Sequence, residues 1–292
     1  MTSLSERAML VTLRISSWSG MMLDREVTDE VNESHKAEKA AGRYSKRLVA
    51  TKFFNGISQA HRSARESHRL LTLPWEDDGT RILSTVGYVA YAKKMQECRH
   101  QAEKAVKEFL AEPDAYISEA QQRLGSMFDP ADYPDQATLA TKFGFDTEIR
   151  NVPVAGDFRA ELSEESTKAI IKDIEKRTNK RLKMAMNDAF GRVAEVVGKL
   201  SERLRNYVPP KDGNKAEGII RDSLVYNIFE LATNILPVLN VTNDPRIEAL
   251  QAQLVADLVE HSPEILRADA GVRAITLTKA EKLLKKVQSY MS

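Results

Sequence analysis

One long uninterrupted segment constrains this fold more than any other feature of the chain. From Ser163 to Tyr207 the sequence contains no proline, and its glycines are Gly191 and Gly198. The apolar residues recur in steps of three and four, which is the spacing of one helix face. They are Leu182, Met186, Ala189, Val193, Val196, Leu200, Leu204 and Tyr207. The pattern predicts one helix of roughly 65 Å that begins after an N-cap at Ser163.

A helix of this length needs a helical partner along its apolar face. We predict that it packs against the C-terminal segments of its own domain, and a coiled coil with another chain is the alternative. The apolar segment Ile219–Leu236 is predicted to be buried on all sides and to fold back on the long helix. The prolines and glycines of Val208–Gly218 predict a hinge before it. Further helices are predicted from Asn243 and over Gly271–Met291.

The N-terminal half combines helical patterns with two extended segments. Ala8–Trp18 partly alternates between polar and apolar residues, and Phe143–Phe158 is also strand-like. A lone strand leaves its backbone groups unpaired, so we expect these two segments to pair, antiparallel to each other. The helices predicted here are listed by residue number: 24–40, 43–71, 86–111 and a short one within 115–128.

These elements predict a mainly α fold, an elongated multi-helix bundle with one long helix and a small two-stranded β element. We divide the chain into an N-terminal helical region with the β pairing, residues 1–160, and a C-terminal helical bundle, residues 161–292. One continuous domain is the alternative. The sequence has no signal-peptide pattern and no segment of about 20 apolar residues, so we expect no membrane association. With its single cysteine, the chain is predicted to be cytoplasmic.

Motifs of the common enzyme classes are missing from the sequence. There is no phosphate loop, no Gly-x-Ser-x-Gly and no His-Glu-x-x-His. Cys98 stands beside Arg99 and His100, which could activate a thiol, but an ordinary helical cysteine is the favoured interpretation. We therefore predict a protein that is not an enzyme and holds no cofactor.

A metal site is an alternative that the histidine spacing disfavours. His61 and His68 are two helical turns apart, too distant to share one ion without help from another segment. Glu66, Asp77 and Asp78 are the acids that could supply oxygen ligands to such a site. Our prediction is that no metal is bound.

A basic segment is the best local signal for binding. The segment from Arg43 to Arg69 contains seven basic residues and one acid, Glu66. Together with Trp75 its basic residues are our candidates for contact with a partner or with phosphate: Arg43, Lys46, Arg47, Lys52, Arg62, Arg65 and Arg69. Three interpretations stay open: pairing with the acidic residues between Glu112 and Asp135, a protein partner, or nucleic acid.

The turn "LTLPWEDDGTRIL" follows that segment and has a local explanation. Pro74 ends the helix because it disfavours the helical conformation of the preceding residue. Trp75 is then placed to fold back on the apolar side of the helix. Asp78 and Gly79 form a turn dipeptide, and the acids are free to cap it or to pair with nearby arginines.

Three stretches together resemble a phage- and prophage-associated bacterial family described as a domain of unknown function. They are "LRISSWSGMMLDREVTDEV", "AGRYSKRLV" and "TLPWEDDGTRIL", and the resemblance covers roughly Leu10 to Leu83. Genes of that family often lie near a MoxR-like AAA ATPase and a von Willebrand A protein similar to a cobaltochelatase subunit. The resemblance implies an accessory factor for an ATPase machine, and it carries over no catalytic residue.

The function we predict is a non-enzymatic phage or prophage accessory protein that acts through protein–protein interaction or assembly. The expected partner is a second copy of the chain or an AAA ATPase, in the host cytoplasm if the protein is phage-encoded. The alternative is a nucleic-acid-binding protein that uses residues 43–69.

Overall fold

The computed structural model describes residues 4–157, 163–210 and 218–291, and most of them are helical. The strands are β1 (Ala8–Ser16), β2 (Met21–Asp24), β3 (Tyr44–Arg47), β4 (Leu73–Pro74), β5 (Arg81–Ser84) and β6 (Gly144–Asn151). The first helices are α1 (Leu4–Arg7), α2 (Arg25–Ser34), α3 (Asn55–Leu71), α4 (Tyr88–Ala111), α5 (Pro113–Leu124) and α6 (Gln136–Ala140). The later helices are α7 (Glu164–Arg205), α8 (Asp222–Glu230), α9 (Leu236–Leu239), α10 (Pro245–Leu258), α11 (Pro263–Ala268) and α12 (Ala270–Met291).

The chain folds into two compact units that differ from the predicted division at residue 160. Unit 1 consists of Met1–Thr12, His68–Tyr91 and Glu148–Ser292, and unit 2 of Leu13–Ser67 and Ala92–Thr147. Two early segments join the long helix in unit 1 because they are tied together by strand pairing. β1 pairs antiparallel with β5, which itself pairs with β4, and β4 packs on α7.

The long helix of unit 1 is confirmed. The Ser163 hydroxyl accepts a hydrogen bond from the amide of Ser166 at 3.2 Å, which caps α7 as predicted. Its buried residues begin at Ala185, and α12 is its most extensive partner. The C-terminal helix therefore covers the apolar face of α7 within the same unit.

The segment after the hinge departs from prediction. Residues 211–217 of the predicted hinge lie outside the described residues. Beyond it, α8 continues through a π-helical turn (Leu231–Ile235) into α9. The prediction that Ile219–Leu236 is buried on all sides was wrong, because Ile219 and Tyr226 are exposed by 57% and 61%. The helix predicted from Asn243 is α10, which begins after an Asp244 N-cap.

The larger sheet has four strands in the order β4-β5-β1-β6. This order confirms that the two predicted extended segments are neighbours. The prediction of a single two-stranded element was wrong, because β4 and β5 add to one edge and β2 and β3 form a second sheet. These four strands have two to four residues each, too few to show a period of two in the sequence.

Unit 2 is built around a cluster of aromatic and aliphatic side chains. Phe54, Phe109 and Tyr116 are buried in it, and Ile57 adds the apolar face of α3. The helix predicted over 43–71 was wrong in its first part, since residues 44–47 form β3 and α3 begins only at Asn55. Pairing with β2 decides this, because strand formation depends on the neighbouring strand more than on local preference.

Candidate interaction surface

The two-stranded sheet of unit 2, which we call the ribbon, consists of β2 and β3. Its register places Met21 opposite Arg47 and Met22 opposite Lys46. Residues directly opposite each other in an antiparallel pair share one face, and side chains alternate between faces along a strand. The ribbon therefore has one face with Lys46 and another face with Arg47.

The Lys46 face packs onto the segment that follows α5. The Lys46 Nζ lies 2.7 Å from Asp132 Oδ2 and 3.3 Å from Asp24 Oδ2, and it donates to the carbonyl of Met127 at 3.0 Å. The hydrogen bond to Asp132 is the main cause that raises the pKa of Lys46. The pKa of Asp24 is lowered, first by the amide of Val27 and further by Lys46. This face is committed to internal ion pairs.

The opposite face of the ribbon is uncovered. Met21 and Leu23 are exposed by 41% and 39%, and Ser45 and Arg47 beside them are also exposed. Two large apolar side chains next to an arginine are the composition that protein interfaces favour. This face, defined by Met21, Leu23, Ser45 and Arg47, is the strongest candidate interaction surface in unit 2.

The ribbon and α2 together hold every exposed large apolar side chain of unit 2. These are Met21, Met22, Leu23, Val31 and Tyr44. Scattered exposed apolar residues are normal on a protein, whereas a concentration in one small substructure marks a site of association. Methionine adds adaptability, since its unbranched side chain fits partners of different shape. A run of three apolar residues before the Asp24 cap was the signal in the sequence, and it was missed.

The predicted basic candidates are distributed over three surroundings. Lys46 is buried and paired, so it is not available to a partner. Arg43 and Arg47 are exposed at the two ends of β3, next to the candidate surface. Lys52 lies over the ring of Phe53, with its Nζ 5.1 Å from the ring centroid.

The remaining basic candidates lie on α3. Arg62 and Arg65 are exposed on the side of α3 opposite the buried Ala60 and Ala64. In the described parts of the chain neither forms an ion pair. Arg69 is exposed near the end of the same helix. The predicted pairing between the basic and acidic segments is observed at Lys46 and Asp132.

Trp75 is not part of an exposed face. It is 5% exposed and belongs to the core of unit 1, where its indole Nε1 has no hydrogen-bond partner among the described residues. The turn after it is closed by Thr80, whose carbonyl accepts from the amides of Trp75 and Glu76. The Glu76 carboxylate pairs with Arg181 of α7 at 2.9 Å. The elaborate turn thus places an aromatic side chain in the core and ties the β4–β5 hairpin to the long helix.

Two arginines complete this region by capping the end of α3. Arg192 donates to the carbonyls of Leu70 at 2.9 Å and Thr72 at 2.8 Å. Arg81 donates to the hydroxyl and carbonyl oxygens of Thr72 at 2.7 and 2.9 Å. Burial, followed by the nearby charge of Arg192, lowers the pKa of Arg81 to about 10. These guanidinium groups satisfy carbonyls that a helix C-terminus leaves unpaired.

The two histidines considered for a metal site have separate surroundings. His68 is buried, and its Nδ1 lies 2.8 Å from the hydroxyl of Tyr91. Burial, assisted by Arg81 and Arg69, lowers the pKa of His68 to about 4. His61 belongs to unit 2, whereas Asp77 belongs to unit 1. Within residues 4–157, 163–210 and 218–291, no group of three or more His, Cys, Asp or Glu side chains is arranged to hold a metal ion.

Comparison with family models, with curated proteins and with solved structures found no match to this chain. Among the helices of the described residues, none has the length and apolar character needed to cross a bilayer.

Proposed function

We propose that this protein acts by binding another protein through the exposed face of the ribbon. The observation that supports this proposal is that Met21 and Leu23, exposed by 41% and 39%, share one face of the ribbon with the exposed Arg47. Met21 and Leu23 supply the apolar centre of the contact, and Arg47 supplies a charged edge.

The opposite face of the ribbon prepares this surface for binding. Ion pairs of Lys46 with Asp132 and Asp24 hold β3 and the start of α2 in place. A surface held in its bound conformation loses less conformational entropy on association. The partner expected from the sequence resemblance is an AAA ATPase, for which this protein is an accessory factor. A second copy of the chain is the other expected partner.

A binding measurement with matched variants tests the proposal. Met21→Lys combined with Leu23→Lys places charge at the centre of the surface, and Ser58→Lys places one charge at an exposed position of α3 as a control. We expect the double variant to weaken binding to the ATPase, or self-association in sedimentation, by about tenfold or more, and the control to leave it unchanged. Equal binding by the wild type and the double variant contradicts the proposal, provided that both show the same circular dichroism.

A second candidate function is nucleic-acid binding by α3. It is favoured by the exposure of Arg62 and Arg65, which form no ion pair in the parts of the chain that the structure describes. Phosphate contacts make affinity fall with salt, so binding to duplex DNA should drop steeply between about 50 and about 200 mM salt. Arg62→Glu with Arg65→Glu should abolish it. A flat salt response removes this candidate and leaves the protein-binding proposal untouched.

A further inference from the structure

Unit 2 contains a cavity that the proposed function does not use. It has a volume of about 320 Å³ and lies between α3, α4 and the segment that joins α6 to β6. Val106 and Leu110 line it from α4, and Phe143 and Phe145 line it from the opposite side. Cavities of this size with a predominantly apolar lining are typical of small-molecule sites.

His61 is the polar group that faces this cavity from α3. The residue is 5% exposed, and neither ring nitrogen has a hydrogen-bond partner among the residues that the structure describes. Its ring nitrogens are free to hydrogen-bond with whatever occupies the cavity, because no protein group in the described residues takes that place. An imidazole placed in this way can be satisfied by a molecule that enters the cavity.

The surroundings favour the neutral form of the imidazole. Burial is the larger cause that lowers the pKa of His61, and the positive charge of Arg65 adds to it. A neutral imidazole offers one donor and one acceptor. At the rim, Glu103 and Lys107 carry opposite charges, so the entrance has no excess charge that would select an ion.

The size and lining of the cavity define the class of ligand. An apolar cavity of about 150 Å³ is sufficient to hold benzene, so this one has room for one or two aromatic rings. The rings of Phe143 and Phe145 suit edge or offset contact with such a ligand. We propose that the cavity binds a small uncharged aromatic molecule that carries one hydroxyl or ring N–H group, with His61 as its hydrogen-bonding partner.

The test uses phenol and indole as probes of the full-length protein, with toluene as the probe that lacks a hydrogen-bonding group. Titrations are followed by NMR, through the signals of His61 and Phe143. Ala140 is exposed and lines the cavity, so Ala140→Phe fills it, whereas Ala137→Phe places the same side chain elsewhere on α6. We expect Ala140→Phe to weaken phenol and indole binding by about tenfold or more, and Ala137→Phe to leave it unchanged.

His61→Leu distinguishes the hydrogen bond from apolar contact. This substitution keeps the volume of the side chain and removes the unpaired polar group, so the fold should tolerate it. We expect phenol to bind about fivefold or more weakly to His61→Leu, while toluene binds as well as to the wild type or better. Absence of saturable phenol and indole binding to the wild type overturns the proposal. If His61→Leu weakens the binding of toluene and of phenol by the same factor, the role of His61 as a hydrogen-bonding partner is overturned.

Discussion

The ammonium group of Lys46 lies 2.7 Å from a carboxylate oxygen of Asp132, although the two residues are far apart in the sequence and belong to no common strand or helix.

 The two residues come from β3 and from the segment that follows α5, so tertiary packing brings them together. Both side chains are about nine-tenths buried, at 9% and 11% exposure. Removing one member of a buried pair leaves the other charge without compensation, which is strongly destabilising.

Replacement of Lys46 is therefore expected to destabilise unit 2. We predict that Lys46→Met lowers the free energy of unfolding by on the order of 3 kcal/mol, measured by urea denaturation. Lys39→Met removes an exposed lysine from the same region and should change stability by less than about 0.5 kcal/mol. Equal stability of Lys46→Met and the wild type would show that the ion pairs contribute nothing to folding.

The two hydrogen bonds from Arg192 to the end of α3 predict a second stability effect. Arg192→Met leaves the carbonyls of Leu70 and Thr72 with fewer donors, so we expect a loss of about 1–3 kcal/mol in the free energy of unfolding. Arg177 on the same helix forms an exposed pair with Asp173, and Arg177→Met should cost less than about 0.5 kcal/mol. If both variants lose the same small amount, the capping contacts are not significant.

The burial of His68 predicts that stability falls with acid well before the carboxylates titrate. The pKa of His68 is about 4 in the folded protein, whereas an unfolded histidine has a pKa of about 6.5. The unfolded chain therefore binds a proton between these values and the folded chain does not. Stability should be constant above about pH 6.5, decrease as the pH falls toward 4, and lose up to about 3 kcal/mol from this residue.

Unfolding free energies at a series of pH values test this dependence. His68→Gln removes the titrating group and should give a flatter profile between about pH 6.5 and 4. His100→Gln, at an exposed position of α4, is the control and should retain the wild-type slope. His61 contributes in the same direction because its pKa is also lowered, so the double variant with His68 should be flatter still. An unchanged slope in His68→Gln would exclude His68 as the source.

The position of Trp75 predicts an effect on stability and none on partner binding. Trp75→Ala should destabilise unit 1 by about 3–5 kcal/mol because it leaves a large cavity. Trp75→Phe should cost much less, about 1 kcal/mol, since it also removes the indole N–H that has no partner among the described residues. Partner binding by folded Trp75→Phe should match the wild type. Loss of binding without loss of stability would return Trp75 to the list of contact residues.

Local sequence patterns determined the regular elements of this protein. The long helix, the face of α4 that carries Met95 and Cys98, and the strand β1 all follow from the spacing of apolar residues and from caps such as Ser163. These signals lie within one element, and they act through the geometry of the backbone itself. They are readable without knowledge of the partners.

Tertiary structure decided which charges and aromatic rings reach the surface. Lys46 and Trp75 are residue types that often contact a partner, yet both are buried by segments that are distant in the sequence. The short strands β2 to β5 likewise form because each pairs with a neighbouring strand. In β5, for example, Ser84 lies opposite Ala8 of β1. Pairing and burial depend on distances between remote segments, and one-dimensional spacing contains no information about those distances.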